Sequence, residues 1–197
     1  MGKTLEARVT ELENKIKELT GGNQVKISKK LGIGDAFKVA DLEWKILDIT
    51  ENGYVCIGEK LPDNMTFGSN NDWKSSKIRK YLNGEFYKKL TDEIGEENII
   101  EFERNLLSLD GQTEYGSCED FVSIISLDEY RKYRTLLPNG KYYWWTLTPD
   151  STKCNGDETC NRVVCPSGNV SNGICGDCYG VRPFCIFSSS IFESEDK

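Results

Sequence analysis

The sequence predicts an α+β fold, with short antiparallel strands and two helices, preceded by a short N-terminal coiled coil. Three observations carry this expectation. Apolar residues recur in a 4-3-4-3 rhythm over the first 22 residues. From residue 36, β-branched and aromatic residues alternate in the manner of half-buried strands. Two later segments, beginning at Trp73 and at Ser126, show helical spacing and capping instead.

The N-terminal segment places Val9 and Ile16 at heptad position a and Leu5, Leu12 and Leu19 at position d. Arg8 falls at g and Glu13 at e, so the two can pair between neighbouring chains. Gly21-Gly22-Asn23 stops the helix and begins a flexible joint. Residues 1–22 are therefore expected to be an oligomerisation stem. Branched residues at a with Leu at d favour dimers. RVTELE, residues 8–13, resembles the Arg-hydrophobic-x-x-hydrophobic-Glu pattern of short trimeric coiled coils. A homotrimer is expected, with a dimer as the alternative.

The globular part spans residues 23–190, and an acidic tail occupies 191–197. Strands are expected at about 36–40, 42–49 and 53–58, with Glu51-Asn52-Gly53 as a hairpin turn. Simple alternation puts Leu42, Trp44, Ile46 and Asp48 on one face, with Trp44 and Ile46 inward. The next segment is an amphipathic helix whose apolar positions are Ile78, Leu82, Phe86 and Leu90, with Trp73 leading in. Its lysines and arginines read as a solvated face. Residues 98–107 are a strand region. Ser126 and Glu129 form a capping box for a short helix that ends near Pro138-Asn139-Gly140. KYYWWTLTP is an aromatic strand. Residues 150–179 are expected to be loop, broken by short strands such as 162–165. GVRPFCIF closes the domain as a strand, and Pro183 implies an edge or a bulge.

Charge and composition exclude several functions. The chain of 197 residues carries a net charge of −7, opposite in sign to a general nucleic-acid or anionic-membrane binder. No run of 18 apolar residues exists, so no membrane insertion is expected. There is no histidine, which removes Ser-His-Asp and Cys-His catalysis and His-ligated zinc. Met1 to Thr20 lacks the apolar core of a secretory signal.

Six of the eight cysteines fall between Cys154 and Cys185, among Asn, Gly, Asp and Ser. A zinc site would need Cys160, Cys165, Cys175 and Cys178, whose spacing is looser than usual. Asp150, Asn155, Asp157 and Glu158 offer oxygens to calcium, in no recognised loop spacing. No cofactor is expected. Local disulfides fit a protein working outside a cell, and Cys56 and Cys185 read as core residues. The composition of the stretch suits a binding loop better. The candidate ligand-binding residues are Trp145, Asn155, Asp157, Glu158, Asn161, Asn169, Ser171, Asn172, Asp177 and Tyr179.

WKILDI, the run from Trp73 to Phe86 (W-x-S-S-x-I-R-x-Y-L-N-x-x-F), DFVSIISLDEY, WWTLTP, and G-N-V followed by G-V-R-P occur in this order. Together they resemble a domain family of Gram-positive bacteria and their phages, over about residues 35–187. The C-terminal half is similar to the C-type-lectin-like fold in its formylglycine-generating-enzyme-like variety. That resemblance implies two helices flanking small antiparallel sheets. It also implies a long irregular loop region before the last strand, where ligands bind. It further implies recognition of a host-surface protein or glycan by a phage tail-fibre or receptor-binding protein, or by a variable protein diversified by a retroelement. The expected location is a virion, or the extracellular space or cell surface, or alternatively the cytoplasm. The chain is not expected to be an enzyme. A formylglycine-generating-type enzyme and a structural virion or assembly protein are the alternatives.

Overall fold

The computed structural model describes residues 31–192. The predicted stem residues Leu5, Arg8, Val9, Leu12, Glu13, Ile16 and Leu19 lie outside the described residues. The fold is mixed α+β, with small antiparallel sheets and few helices.

Strands β1 (Ala36–Val39), β2 (Leu42–Thr50) and β3 (Gly53–Gly58) form the opening meander, close to the bounds the alternation predicts. Thr50 pairs with Gly53 across a two-residue turn. Gly53 has φ +135°, and a Cβ there would lie 2.3 Å from the Phe187 carbonyl oxygen, so the turn requires glycine. The expected face of Asp48 is overturned. Ile46 pairs with Cys56 and Asp48 with Val55, so Leu47 is an extra, bulged residue. The bulge moves Asp48 to the face opposite Ile46. There its carboxylate accepts hydrogen bonds from Lys132 Nζ at 2.8 Å and the Tyr133 hydroxyl at 3.0 Å.

After β4 (Met65–Thr66) and a 3-10 turn at Trp73–Ser75, the helical stretch runs through α1 (Lys77–Tyr81), a π-helical turn (Leu82–Phe86) and α2 (Tyr87–Ile94). Ser76 caps α1 by accepting from the Arg79 amide. Ile78, Leu82, Phe86, Leu90 and Ile94 are all buried. They recur every fourth residue, a spacing that drifts by about 40° per step on a helix of 3.6 residues per turn. The wider π turn absorbs that drift and keeps the stripe on the core. Each such side chain contributes roughly 1.5–3 kcal/mol of transfer free energy.

The chain continues through β5 (Ile99–Ile100), β6 (Phe102–Asn105), β7 (Ser117–Asp120) and β8 (Ser123–Ile124) to α3 (Leu127–Lys132). The capping box forms as the sequence predicts, with Ser126 and Glu129 each bonding the other's backbone amide. β9 (Trp144–Pro149), β10 (Cys160–Val164) and β11 (Val170–Ile174) form a second sheet of three strands. β12 (Cys178–Tyr179) pairs with β4, and β6 pairs with β7.

The last strand, β13 (Pro183–Phe187), returns to the interior of the main sheet, ordered β1-β2-β3-β13-β5, with β8 also paired to β13. Pro183 is thus not at a sheet edge or a bulge. It is the first residue of an interior strand, a position that proline tolerates. The α1–α2 stripe packs into the core that contains Trp44, Ile46, Trp145 and Cys185, and α3 into the core that contains Leu47, Val55, Ile57 and Trp144. Ile191 and Phe192, which the sequence groups with the tail, are buried, and the Phe192 ring lies 4.9 Å from that of Phe37. Among the described residues no helix is long and apolar enough to cross a membrane.

Candidate functional site

The stretch from 150 to 179 is more regular than its composition implies. Val163, Val164 and Val170 anchor β10 and β11 as a hairpin, and irregular backbone remains at 150–159 and 175–177. Ser171 and Gly173 share one face of β11 with Val163 and Asn161, while Asn172 and Ile174 face the other way.

Gly173 leaves room for an aromatic row. A Cβ there would lie 2.7 Å from the Tyr179 ring and 3.1 Å from the Trp145 ring. Trp145 is fully buried and anchored by its indole N–H, which donates to the Met65 carbonyl at 2.8 Å. Tyr179 sits edge-on to Trp145 at 4.8 Å between centroids, and Tyr143 lies 5.9 Å beyond it, tilted by 41°. Tyr143 is 45 % exposed. The Tyr179 hydroxyl donates to Asp177 at 3.2 Å. Burial, then the Asp177 charge, pushes the Tyr179 phenol above its ordinary range. The row runs from core to solvent and ends in two phenol rings beside a carboxylate.

A second, polar surface lies where three loops meet. Its keystone is Asn71, fully buried. Its Nδ2 donates to the carbonyls of Ser151 at 3.0 Å and Cys160 at 2.9 Å, and its Oδ1 accepts from the Tyr115 hydroxyl at 2.7 Å. Above it opens a cleft of about 350 Å³ lined by Asn70, Asp72, Lys74, Glu114, Tyr115, Lys153 and Glu158. Asp110 ties the rim. It accepts from Ser108, from Ser151 Oγ at 2.7 Å and from Asn155 Nδ2 at 3.0 Å, and these bonds hold its carboxyl below the usual range. Glu114 is lowered by the Cys154 amide, which donates to it at 2.8 Å. Burial pushes the Tyr115 phenol up to about 12.

The ten predicted ligand-binding residues therefore divide. Ser171, Asp177 and Tyr179 belong to the aromatic face, with Trp145 buried beneath them. Glu158 lines the polar cleft, and Asn155 braces its rim. Asp157 is spent on the Thr159 amide and hydroxyl. Asn161 is fully enclosed, and neither of its amide atoms has a hydrogen-bond partner among the described residues. Asn169 sits at the β10–β11 turn, where its carbonyl accepts from the Cys165 amide. Asn172 faces away from the row. Tyr143 and Asn71 were missed. Tyr143 was legible, because it alternates in step with Trp145 at the start of an aromatic strand; Asn71 carried no local signal.

A groove of about 370 Å³ between α3 and residues 103–111 has the Arg104–Glu129 ion pair in its lining. Arg104 Nη1 and Nη2 each reach a Glu129 oxygen at 2.7 Å, and Arg131 pairs with Asp128 at 2.8 Å, so both cations are already engaged.

The eight cysteines are all unbridged. Cys175 is buried while Cys178 is exposed. Among the described residues no three Cys, Asp or Glu side chains converge as a metal-holding group, so the four candidate zinc cysteines do not gather. Burial raises the thiols of Cys56, Cys118 and Cys185 and takes Cys175 to about 12, and a hydrogen bond to Glu114 raises Cys154. None of these five has the lowered pKa of an activated nucleophile.

The class that the fold defines is thus a mixed α+β domain of small antiparallel sheets. No family model, no curated protein and no solved structure matches the chain.

Proposed function

We propose that the protein recognises a ligand, a host-surface protein or glycan, through an oligomeric C-type-lectin-like head. In this reading it serves as a phage receptor-binding or tail-fibre protein, or as a surface protein of variable sequence. The carrying observation is the row Trp145–Tyr179–Tyr143. Its inner ring is locked in the core, and its outer rings are presented to solvent beside Asp177 and Ser171. Rigid aromatic contact area lost to a ligand costs little conformational entropy, and flanking carboxylate and hydroxyl groups add direction. The lectin-like assignment draws support from helices on both sides of the main sheet and from irregular segments just ahead of the interior last strand. A trimeric stem would multiply a weak single site through avidity.

The test is binding of the purified protein to host cells and to immobilised glycans, wild type against Tyr179→Ala and Tyr143→Ala. Each truncation is expected to weaken binding by roughly tenfold or more, the effect of removing an aromatic anchor. Unchanged binding in both variants would refute the placement of the site. Binding to neither cells nor glycans would refute the function.

A further inference from the structure

β11 ends its sheet, since β10 pairs with one of its edges and no described strand pairs with the other. Which backbone groups face outward follows from the register. The Cys175 amide donates to Thr159, and the Cys165 amide donates to Asn169. Counting in twos between these closed pairs, Ser171 and Gly173 bond toward β10. Val170, Asn172 and Ile174 therefore turn their N–H and C=O groups outward. Of these, the Ile174 carbonyl takes the Asp177 amide at 2.8 Å.

Exposed edges are ordinarily protected by charge, proline or a bulge. VSNGI has no charge and no proline, and its pairing with β10 is unbroken. Ile174 is 59 % exposed, the largest value among the exposed large apolar side chains described. We propose that β11 pairs antiparallel with β11 of a second copy of this chain, about a two-fold axis at Asn172.

The strand is self-complementary in that register. Asn172 meets Asn172 and exchanges two backbone bonds with it. Ile174 meets Val170 of the other copy, on both sides of the axis. All three side chains lie on one face, so each Ile174 covers a Val170 that already packs against the core containing Trp144. Pairing makes one continuous sheet of six strands and places no like charges opposite each other. The tyrosine row lies on the other face and stays free. An edge this short buries little area, so the contact is weak and its occupancy rises with protein concentration.

The experiment follows amide hydrogen exchange in the full-length protein by NMR, together with mass by light scattering. In the wild type, the outward amides of Asn172 and Ile174, whose acceptors are the Asn172 and Val170 carbonyls of the other copy, are expected to exchange at least roughly tenfold more slowly than unstructured amides, as hydrogen-bonded strands do. Ile174→Lys should abolish that protection and lower the mean mass. The inward amides of Ser171 and Gly173 should stay protected in the variant, which shows that the strand is folded. Unprotected outward amides in the wild type would overturn the proposal. So would protection that survives Ile174→Lys, or protection lost without a change in mass, which would mean that something other than a second copy covers the edge.

Discussion

Asn71→Ala is the most discriminating perturbation of the loop architecture. The side chain is fully buried and makes three hydrogen bonds of good length, to Ser151, Cys160 and Tyr115. A fourth contact, to the Asp157 carbonyl, is 3.5 Å and is left out of the sum. At about 1 kcal/mol net per bond, the loss is ~3 kcal/mol, and two carbonyls and a phenol are left without their partner. With a urea m-value of ~2 kcal/mol/M for a domain of this size, the midpoint should fall by ~1.5 M. Urea titration at one fixed protein concentration, followed by circular dichroism, measures this. The loss should also loosen 150–160 specifically, seen as faster amide exchange at Asn155 and Asp157 than at Cys56. A midpoint shift below ~0.5 M, about 1 kcal/mol, would refute the keystone role. So would uniform loosening.

Two further outcomes follow from the helices. Gly84→Ala should raise stability by about 0.5–1 kcal/mol, because the position is interior to the helical stretch and a Cβ there meets nothing within 4 Å. A lower melting temperature would show instead that the π turn depends on glycine. At Glu129, burial alone raises the carboxyl. The hydrogen bonds and charge of Arg104, with the Ser126 amide, outweigh burial and hold it below its ordinary value of 4.5. A depressed folded value gives stability that is complete above about 4.5 and lost as pH falls through the folded value. The urea midpoint should therefore decline in that acid range, and Glu129→Gln should flatten that part of the profile. An equally steep Glu129→Gln profile would contradict the assignment.

The meander and the capped helix were legible because their signals are local: alternation in β2 and β3, and Ser126 three residues before Glu129. The bulge at Leu47 was not: Ile46-Leu47 breaks the alternation of WKILDI, but two adjacent apolar residues fit equally a strand buried on both faces, and only pairing to Val55 and Cys56 exposes the extra residue. The hairpin of β10 and β11 was hidden for a different reason. Its buried face carries a polar residue, Asn161, and a bare position, Gly173, which is occupied from above by Tyr179, so the apolar alternation of a strand is missing. The keystone Asn71 looked like part of a turn before a helix. Its partners lie 44, 80 and 89 residues away, beyond what any local pattern encodes. Of the site, the aromatic half was partly visible through Trp145 and Tyr179, while the polar cleft is a product of loop packing.

The adjacent pair Trp144 and Trp145 has an optical consequence. Being neighbours on β9, they point into different cores, Trp144 toward Tyr130 and Trp145 toward Phe67. All four tryptophans of the chain are shielded from solvent. A chain in which three are replaced by phenylalanine then carries a single tryptophan in a chosen core, read selectively above the tyrosine absorption. Retaining Trp144 reports the α3 side, and retaining Trp145 reports the α1–α2 side. Red shifts at one common temperature would mark a single cooperative unit, and separated shifts would resolve the order in which the two halves come apart.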